Sequence, residues 1–244
     1  MIRALQDQIK QLIIDRGLQP GDPLPTEEEL CTLLGSGRNS TREAIKSLQA
    51  LDVVEVRHGY GTTVGSMSLD PLVNGLSFRV RHGLRQSLRG LHDLLEVRME
   101  LEAALIRKAT PLLTEEDLDG LDQLSDELEE AARSGRPSVE LDRRFHQIVY
   151  RPLDNALVLE LIDAFWLVYQ RGTLGRINDP IDAARWHRAI VASLRARDAD
   201  AAERALREHF GKIPDHLAQL ARTGEGKREE SAHGTSSAGR TDPP

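Results

Sequence analysis

The sequence predicts a mainly α chain in two parts: a small N-terminal unit of helices closed by a β-hairpin, then an all-α bundle. Three observations predict it. Over residues 9–64 an amphipathic helix is followed by a Pro/Gly-rich turn, two short helices and two short strands joined by a glycine-rich tip. From about residue 89 to 222 apolar residues recur at helical spacing and few segments alternate with period two. The last 22 residues, from Thr223, are rich in Gly, Ser, Glu and Pro, lack an apolar run, and are expected to be disordered. The implied organisation is a first unit over 1–66, a linker with a short helix over 67–88, a helical domain over 89–222 and a tail over 223–244.

Each element has a local reason. Ile2, Leu5, Ile9, Leu12 and Ile13 give helix one an apolar face, and GLQPGDPLP ends it. Thr26 and Glu29 form a capping box for helix two, whose expected core side is Leu30, Leu33 and Leu34. Gly35-Ser36-Gly37 makes a tight turn. Helix three runs from about Arg38 to Leu51, with Ala44, Ile45, Leu48 and Leu51 expected inward and Asn39, Ser40, Arg42, Glu43 and Lys46 outward. Residues 53–57 alternate like a half-buried strand, Thr62-Thr63-Val64 is its partner, and His58-Gly59-Tyr60-Gly61 is the tip. In the second part, one long helix carries Leu91, Leu94, Leu95, Arg98, Leu101, Glu102 and Leu105. Thr114 caps the next, and Ser138 starts a third with Phe145, Ile148 and Val149 apolar. A nearly all-apolar segment over 155–171 is expected to lie centrally. Asp179-Pro180 opens a fifth helix, and Asp198 caps a sixth that should kink at Pro214.

The order of elements in the first unit is that of a winged helix-turn-helix, which sets one helix into the DNA major groove. Bulk charge does not advertise this. The chain carries a net charge of −7, and its first 65 residues hold seven Lys/Arg against nine Asp/Glu, a net of −2. Placement decides instead, because phosphate contacts are local and screened beyond ~8–10 Å. Arg38, Arg42, Lys46 and Arg57 cluster where this fold faces DNA, whereas the acids cluster in the first two helices. Arg42 is expected to pair bidentately with guanine; Asn39 and Ser40 to read bases or hold phosphate; Arg38 and Lys46 to face the duplex; and His58 with Gly59 to enter a minor groove. Read singly, Arg42 and Glu43 are equally ordinary solvated helix charges.

The other bulk properties are those of a soluble protein, with 39% hydrophobic and 29% charged residues. No run of ~18 apolar residues exists, so no membrane span is expected, and the charged N-terminus is not a secretory signal. The single cysteine, Cys31, excludes an internal disulfide and fits a reducing cytoplasm; among leucines it reads as a buried structural thiol.

The blocks PGDPLPTEEEL, LGSGRNSTREAIKSL and VRHGYGTTV closely resemble the GntR family of bacterial transcriptional regulators over about 60 residues. The resemblance implies operator contacts by Arg38, Asn39, Arg42, His58 and Gly59. Two departures matter. Glu28 stands where some members carry a DNA-contacting arginine, and Thr41 replaces the usual aliphatic residue before Arg42, a change expected to loosen helix packing.

Asp142 and His146, four apart on one predicted helix, project from one face; His187 and His209 lie on later helices and converge with them if those helices line one cavity. Three imidazoles and a carboxylate suit Zn²⁺, Ni²⁺, Mn²⁺ or Fe²⁺ without choosing among them. On spacing alone, unrelated polar or core histidines are the commoner reading. The segments EVRMELEAALIRKAT, DRRFHQIV, WHRAIVASLRARDADAA and REHF resemble the FCD ligand-binding domain of the FadR-type branch of the same family. That resemblance implies a divalent metal, zinc first, held by Asp142, His146, His187 and His209, with His216 a substitute one heptad beyond His209. It also implies that Arg98, in an E-x-R motif, clamps the carboxylate of a small hydroxy or sugar acid, with Asn155 a weaker contact; from the residues alone, an exposed Arg98 paired with Glu102 is equally expected. Trp186 stands where a glutamate commonly precedes the histidine.

The expected function is therefore a cytoplasmic, homodimeric DNA-binding regulator, read as a repressor, that recognises an inverted-repeat operator and responds to the acid. It is not expected to be an enzyme. The competing readings are a metal-dependent hydrolase or lyase fused to a DNA-binding unit, and an effector-independent DNA-binding protein whose metal is structural.

Overall fold

A computed structural model describes residues 2–57, 59–84, 89–136, 138–173 and 180–211. The elements are α1 (Ile2–Asp15), α2 (Glu27–Leu34), α3 (Arg38–Ala50), β1 (Val54–Arg57), β2 (Gly61–Val64), α4 (Asp70–Leu84), α5 (Arg89–Ala109), α6 (Glu115–Ser134), α7 (Val139–Tyr150), α8 (Ala156–Thr173), α9 (Pro180–Arg195) and α10 (199–211). The chain divides into two compact units, Met1–Gly75 and Leu76–Pro244. The boundary falls inside α4, so most of the expected linker is a 15-residue helix.

In the first unit α1, α2 and α3 bury one core with the hairpin. Ile9, Leu30, Ala44 and Leu48 are fully buried, and Val54 and Val64 close the core from the strands. β1 and β2 pair antiparallel in the register Val54↔Val64 to Arg57↔Gly61. The Pro/Gly-rich segment does more than stop α1. Gly21 N donates to Val64 O, Leu24 N donates to Thr62 O, and Pro23 bridges Thr63, so the turn lies along the free edge of β2. The capping box of α2 is present in both directions: Thr26 Oγ1 accepts from Glu29 N (3.3 Å) and Glu29 Oε2 accepts from Thr26 N (2.8 Å).

Several expectations are corrected here. Leu33 is 54% exposed and Leu51 50% exposed, because α2 has only two turns to bury and α3 ends at Ala50. Val56 is exposed too, since only Val54 of β1 faces the core. Thr41 does not loosen the packing. It is completely buried, and its hydroxyl meets Ser36 Oγ (2.8 Å), Cys31 Sγ (3.3 Å) and Gly37 O (3.3 Å), satisfying the polar group on the spot. Cys31 is accordingly half-buried and tied to a side chain rather than immersed among leucines.

The second unit is helical throughout its described residues. Thr114 caps α6 in a second capping box, with Asp117, and Asp198 Oδ1 accepts from Ala201 N to open α10. Ser138 precedes α7 but makes no side-chain cap. α6 packs along α7 and α9, while α8 lies against α5 and α7. α8 is buried or half-buried along most of its described length rather than enclosed, and Leu157 at its start is exposed. Arg107 reaches Asp200 and Glu203, and Arg207 reaches Glu100, fastening α10 to α5. Asp179, Pro214, His216 and the tail lie outside the described residues. Among the described residues no helix is long and apolar enough to cross a membrane.

Leu48→Ala should destabilise the first unit by about 2–5 kcal/mol through the cavity it leaves, whereas Leu33→Ala should change stability by less than about 0.5 kcal/mol. Urea denaturation of the two variants checks this, and equal losses would place Leu33 in the core after all.

Candidate functional site

Burial of Thr41, Ala44, Ile45 and Leu48 turns the opposite side of α3 outward. Arg38, Asn39, Arg42 and Lys46 are exposed there, and Ser40 is half-buried. The cations already have acidic partners. Arg42 Nε donates to Glu27 Oε2 (2.8 Å), Arg38 Nη2 lies 3.6 Å from Glu28 Oε1, and Lys46 Nζ lies 3.0 Å from Glu43 Oε1. With its Nε occupied, Arg42 keeps both terminal nitrogens for a bidentate contact, and exposed pairs of this kind are readily exchanged for phosphate. At the tip of the wing Gly59 has φ +82°, a left-handed conformation that glycine adopts without strain. His58 lies outside the described residues.

The second unit brings Asp142 and His146 of α7, His187 of α9 and His209 of α10 to one place. One ligand atom from each lies within 4.8 Å of all the others. The three histidines are buried, and their ring centroids are 4.6 Å (His187–His209), 5.8 Å (His146–His209) and 6.0 Å (His146–His187) apart. Asp142 Oδ1 is 3.1 Å from His187 Nε2 and 3.8 Å from His146 Nε2, while Trp166 Nε1 donates to Asp142 Oδ2 (3.1 Å) and so fixes which oxygen faces the histidines. His146 Nε2 and His209 Nδ1 are buried without a hydrogen-bond partner. Buried ring nitrogens left open beside a carboxylate are the donor set that a divalent transition metal takes.

Burial and the neighbouring His187 and His146 push the His209 imidazole well below its ordinary value, keeping it neutral as a ligand must be. Burial alone would raise the Asp142 carboxyl, but the hydrogen bond from His187 and the charges of His146 and Arg98 hold it far below the usual carboxylate range. The same desolvation, together with the charge of Asp142, drives the Tyr169 phenol up.

Arg98 is both buried and paired. It is 3% exposed, its Nε donates to Glu102 Oε1 (2.6 Å), and its Nη2 is buried without a partner. The two readings of the sequence were a clamp facing the cluster and an exposed pair; the structure keeps the pair but buries it, with the guanidinium 5.0 Å over the Phe210 ring. Glu102 has no exposure at all, and its second oxygen meets His146 Nδ1 at 2.6 Å. Burial would raise its carboxyl too, but Arg98 and His146 outweigh that and hold it at about 2. Sequence reasoning missed this role, although Glu102 sits on the stripe Leu91, Leu95, Arg98, Glu102, Ile106, where a charge at a core position was the available signal. Asn155 is corrected: it is exposed, and its Oδ1 accepts from Val158 N at the start of α8, so it caps a helix rather than lining the cluster. Trp186 is half-buried with its ring 6.0 Å from that of His209. A second group, His92, Asp93 and Glu96, is fully exposed on α5.

Residues 2–64 match the family described as bacterial regulatory proteins, gntR family, and residues 93–212 match the FCD domain. The HTH-type transcriptional repressor NanR of Cronobacter sakazakii is 30% identical over 216 residues, covering 86% of this chain and 82% of that protein. The chain belongs to the GntR family. Its FCD match spans all four residues of the cluster, and its gntR match spans the outward face of α3 and the wing. NanR of Escherichia coli K12 is 28% identical, with 86% of this chain and 81% of that protein covered. The solved structure of a Streptococcus agalactiae GntR protein superposes with a TM-score of 0.63 at 29% identity, covering 87% of this chain and 98% of that one. The GntR chain is thus a DNA-binding transcriptional regulator and not an enzyme, which removes the hydrolase or lyase alternative.

The metal-free GntR chain should lose stability in two steps as pH falls. A group whose pKa is depressed by folding binds its proton more readily when unfolded, so acid favours the unfolded state. His209 contributes the first loss as pH drops below its ordinary 6.5, and Glu102, with Asp142, the second below its ordinary 4.5. Urea midpoints measured from about pH 7.5 down to about pH 2.5 check this; a flat profile would show that neither group is held as described.

Proposed function

We propose that the chain is a repressor whose operator affinity is set by a small carboxylic acid bound beside a divalent transition metal in the FCD domain. The observation that carries the reading is the convergence of Asp142, His146, His187 and His209, with the buried His146 Nε2 and His209 Nδ1 left open. These four residues would hold the metal, zinc first, with nickel, manganese and iron as alternatives; bound there, the metal would supply a Lewis-acid centre for a carboxylate oxygen. Arg98 would take the acid's other oxygen through Nη2, because a buried guanidinium with an open donor favours an anion. A hydroxy or sugar acid fits this pairing of charge and coordination. The repressor sense follows the printed names of the relatives.

On the DNA side, Arg38, Asn39, Ser40, Arg42 and Lys46 would face the major groove and His58 with Gly59 the minor groove. A single winged helix touches few base pairs, so we infer a homodimer on an inverted repeat, acting in the cytoplasm. Exposed Phe78, Val97 and Leu157 in the second unit supply apolar surface for such an association.

Arg42→Ala should weaken binding to the sequence recovered from a randomised duplex pool by about ten- to a hundred-fold while leaving helical content unchanged. Wild-type affinity in a gel-shift titration would remove Arg42 from base reading.

His187→Ala should lower bound zinc from about one ion per chain to near zero, since three donors remain of the four needed. Full occupancy by elemental analysis would show that the ligand set is different.

A further inference from the structure

We propose that Glu102 is a positioning residue shared by both halves of the site, and that its charge makes metal and acid occupancy reinforce one another. The inference rests on the metal reading above. Both oxygens of Glu102 are used: Oε1 accepts from Arg98 Nε (2.6 Å) and Oε2 meets His146 Nδ1 (2.6 Å). With Nδ1 donating its proton to the carboxylate, the lone pair of His146 is left on Nε2, the nitrogen that has no other partner. One carboxylate therefore holds the arginine that would meet the acid and the imidazole that would meet the metal.

The charges give this contact a consequence. A metal takes its imidazoles in the neutral form, and counted that way the buried group holds one positive side chain, Arg98, and two negative ones, Glu102 and Asp142. Its net charge is −1. A divalent metal alone takes it to +1, a monocarboxylate alone to −2, and the two together to zero. Net charge in a buried site is costly, so each occupant eases the entry of the other, and linkage requires the effect to be equal in both directions.

Glu102→Gln keeps the volume and an oxygen that accepts from His146 but removes one negative charge. The variant starts at zero, goes to +2 with metal alone and only to −1 with acid alone. Zinc binding should therefore weaken, by about ten- to a hundred-fold, the usual effect of losing a ligand's outer partner. Acid binding to the metal-free protein should strengthen. A variant that merely damages the fold would weaken both.

The test uses the full chain, with zinc affinity read by competition with a fluorescent chelator and acetate as the acid probe. Acetate should tighten zinc binding by the wild type, and neutral acetamide should not. Glu102→Gln should bind zinc more weakly, yet its metal-free form should gain more in melting temperature from acetate than the metal-free wild type does. Should Arg98 left without its partner prevent folding, the double variant Arg98→Gln/Glu102→Gln keeps the net charge of −1 but lacks the carboxylate behind His146 and the arginine that would meet the acid; it should bind zinc more weakly than wild type and gain less from acetate. Zinc affinity unchanged in Glu102→Gln, or unaffected by acetate in the wild type, would overturn the role of Glu102 while leaving the metal site standing. A wild-type chain that takes up no zinc would instead overturn the metal reading and this inference with it.

Discussion

The second unit is organised around the need to compensate buried charge. A carboxylate without exposure is tolerated only when partners take its charge and its lone pairs. Glu102 meets that condition with Arg98 on one oxygen and His146 on the other. Asp142 meets it with His187 and Trp166. Because the partners come from different helices, satisfying these two carboxylates fixes how α5, α7, α8 and α9 approach one another, and His209 brings α10 to the same point. Apolar packing around Phe145 and Phe210 then excludes water, which strengthens every electrostatic contact inside. The open nitrogens of His146 and His209 and the open Nη2 of Arg98 are what this network leaves over, and that remainder is where a ligand would act.

The first unit solves a different problem, presenting cations while staying folded at a net negative charge. Its core is small and its polar contacts are local: the Thr26–Glu29 box, the Thr41 hydroxyl shared with Ser36 and Cys31, and the edge of β2 covered by residues 21–24. Glu27 and Glu28 at the start of α2 pair with Arg42 and Arg38, and on the proposed DNA-facing side they would be placeholders that phosphate displaces.

Much of this was legible in the sequence because local rules and tertiary demands agree. Thr26 and Thr114 announce their helices by the spacing of their acidic partners, and the order of short elements before residue 65 admits few folds. The four residues of the cluster were found because family motifs carried them; spacing alone favoured ordinary core histidines. What was not legible depends on which side of an element meets a neighbour. Periodicity gives α2 three apolar positions, but two turns bury only Leu30 fully and leave Leu33 outside. The linker segment has weak periodicity, yet most of it is the single helix α4, inside which the boundary between the two units falls. Glu102 looks like a solvated partner of Arg98 at i+4, and only the position of α7 turns that pair into a buried relay.

If three histidines and an aspartate of the FCD domain hold one metal, X-ray absorption at the zinc edge of the zinc-loaded full chain should show it. The expected first shell is nitrogen and oxygen, with the outer-ring scattering of three imidazoles and no sulfur. A sulfur contribution, which only Cys31 or a methionine can provide, or the absence of imidazole scattering, would contradict it.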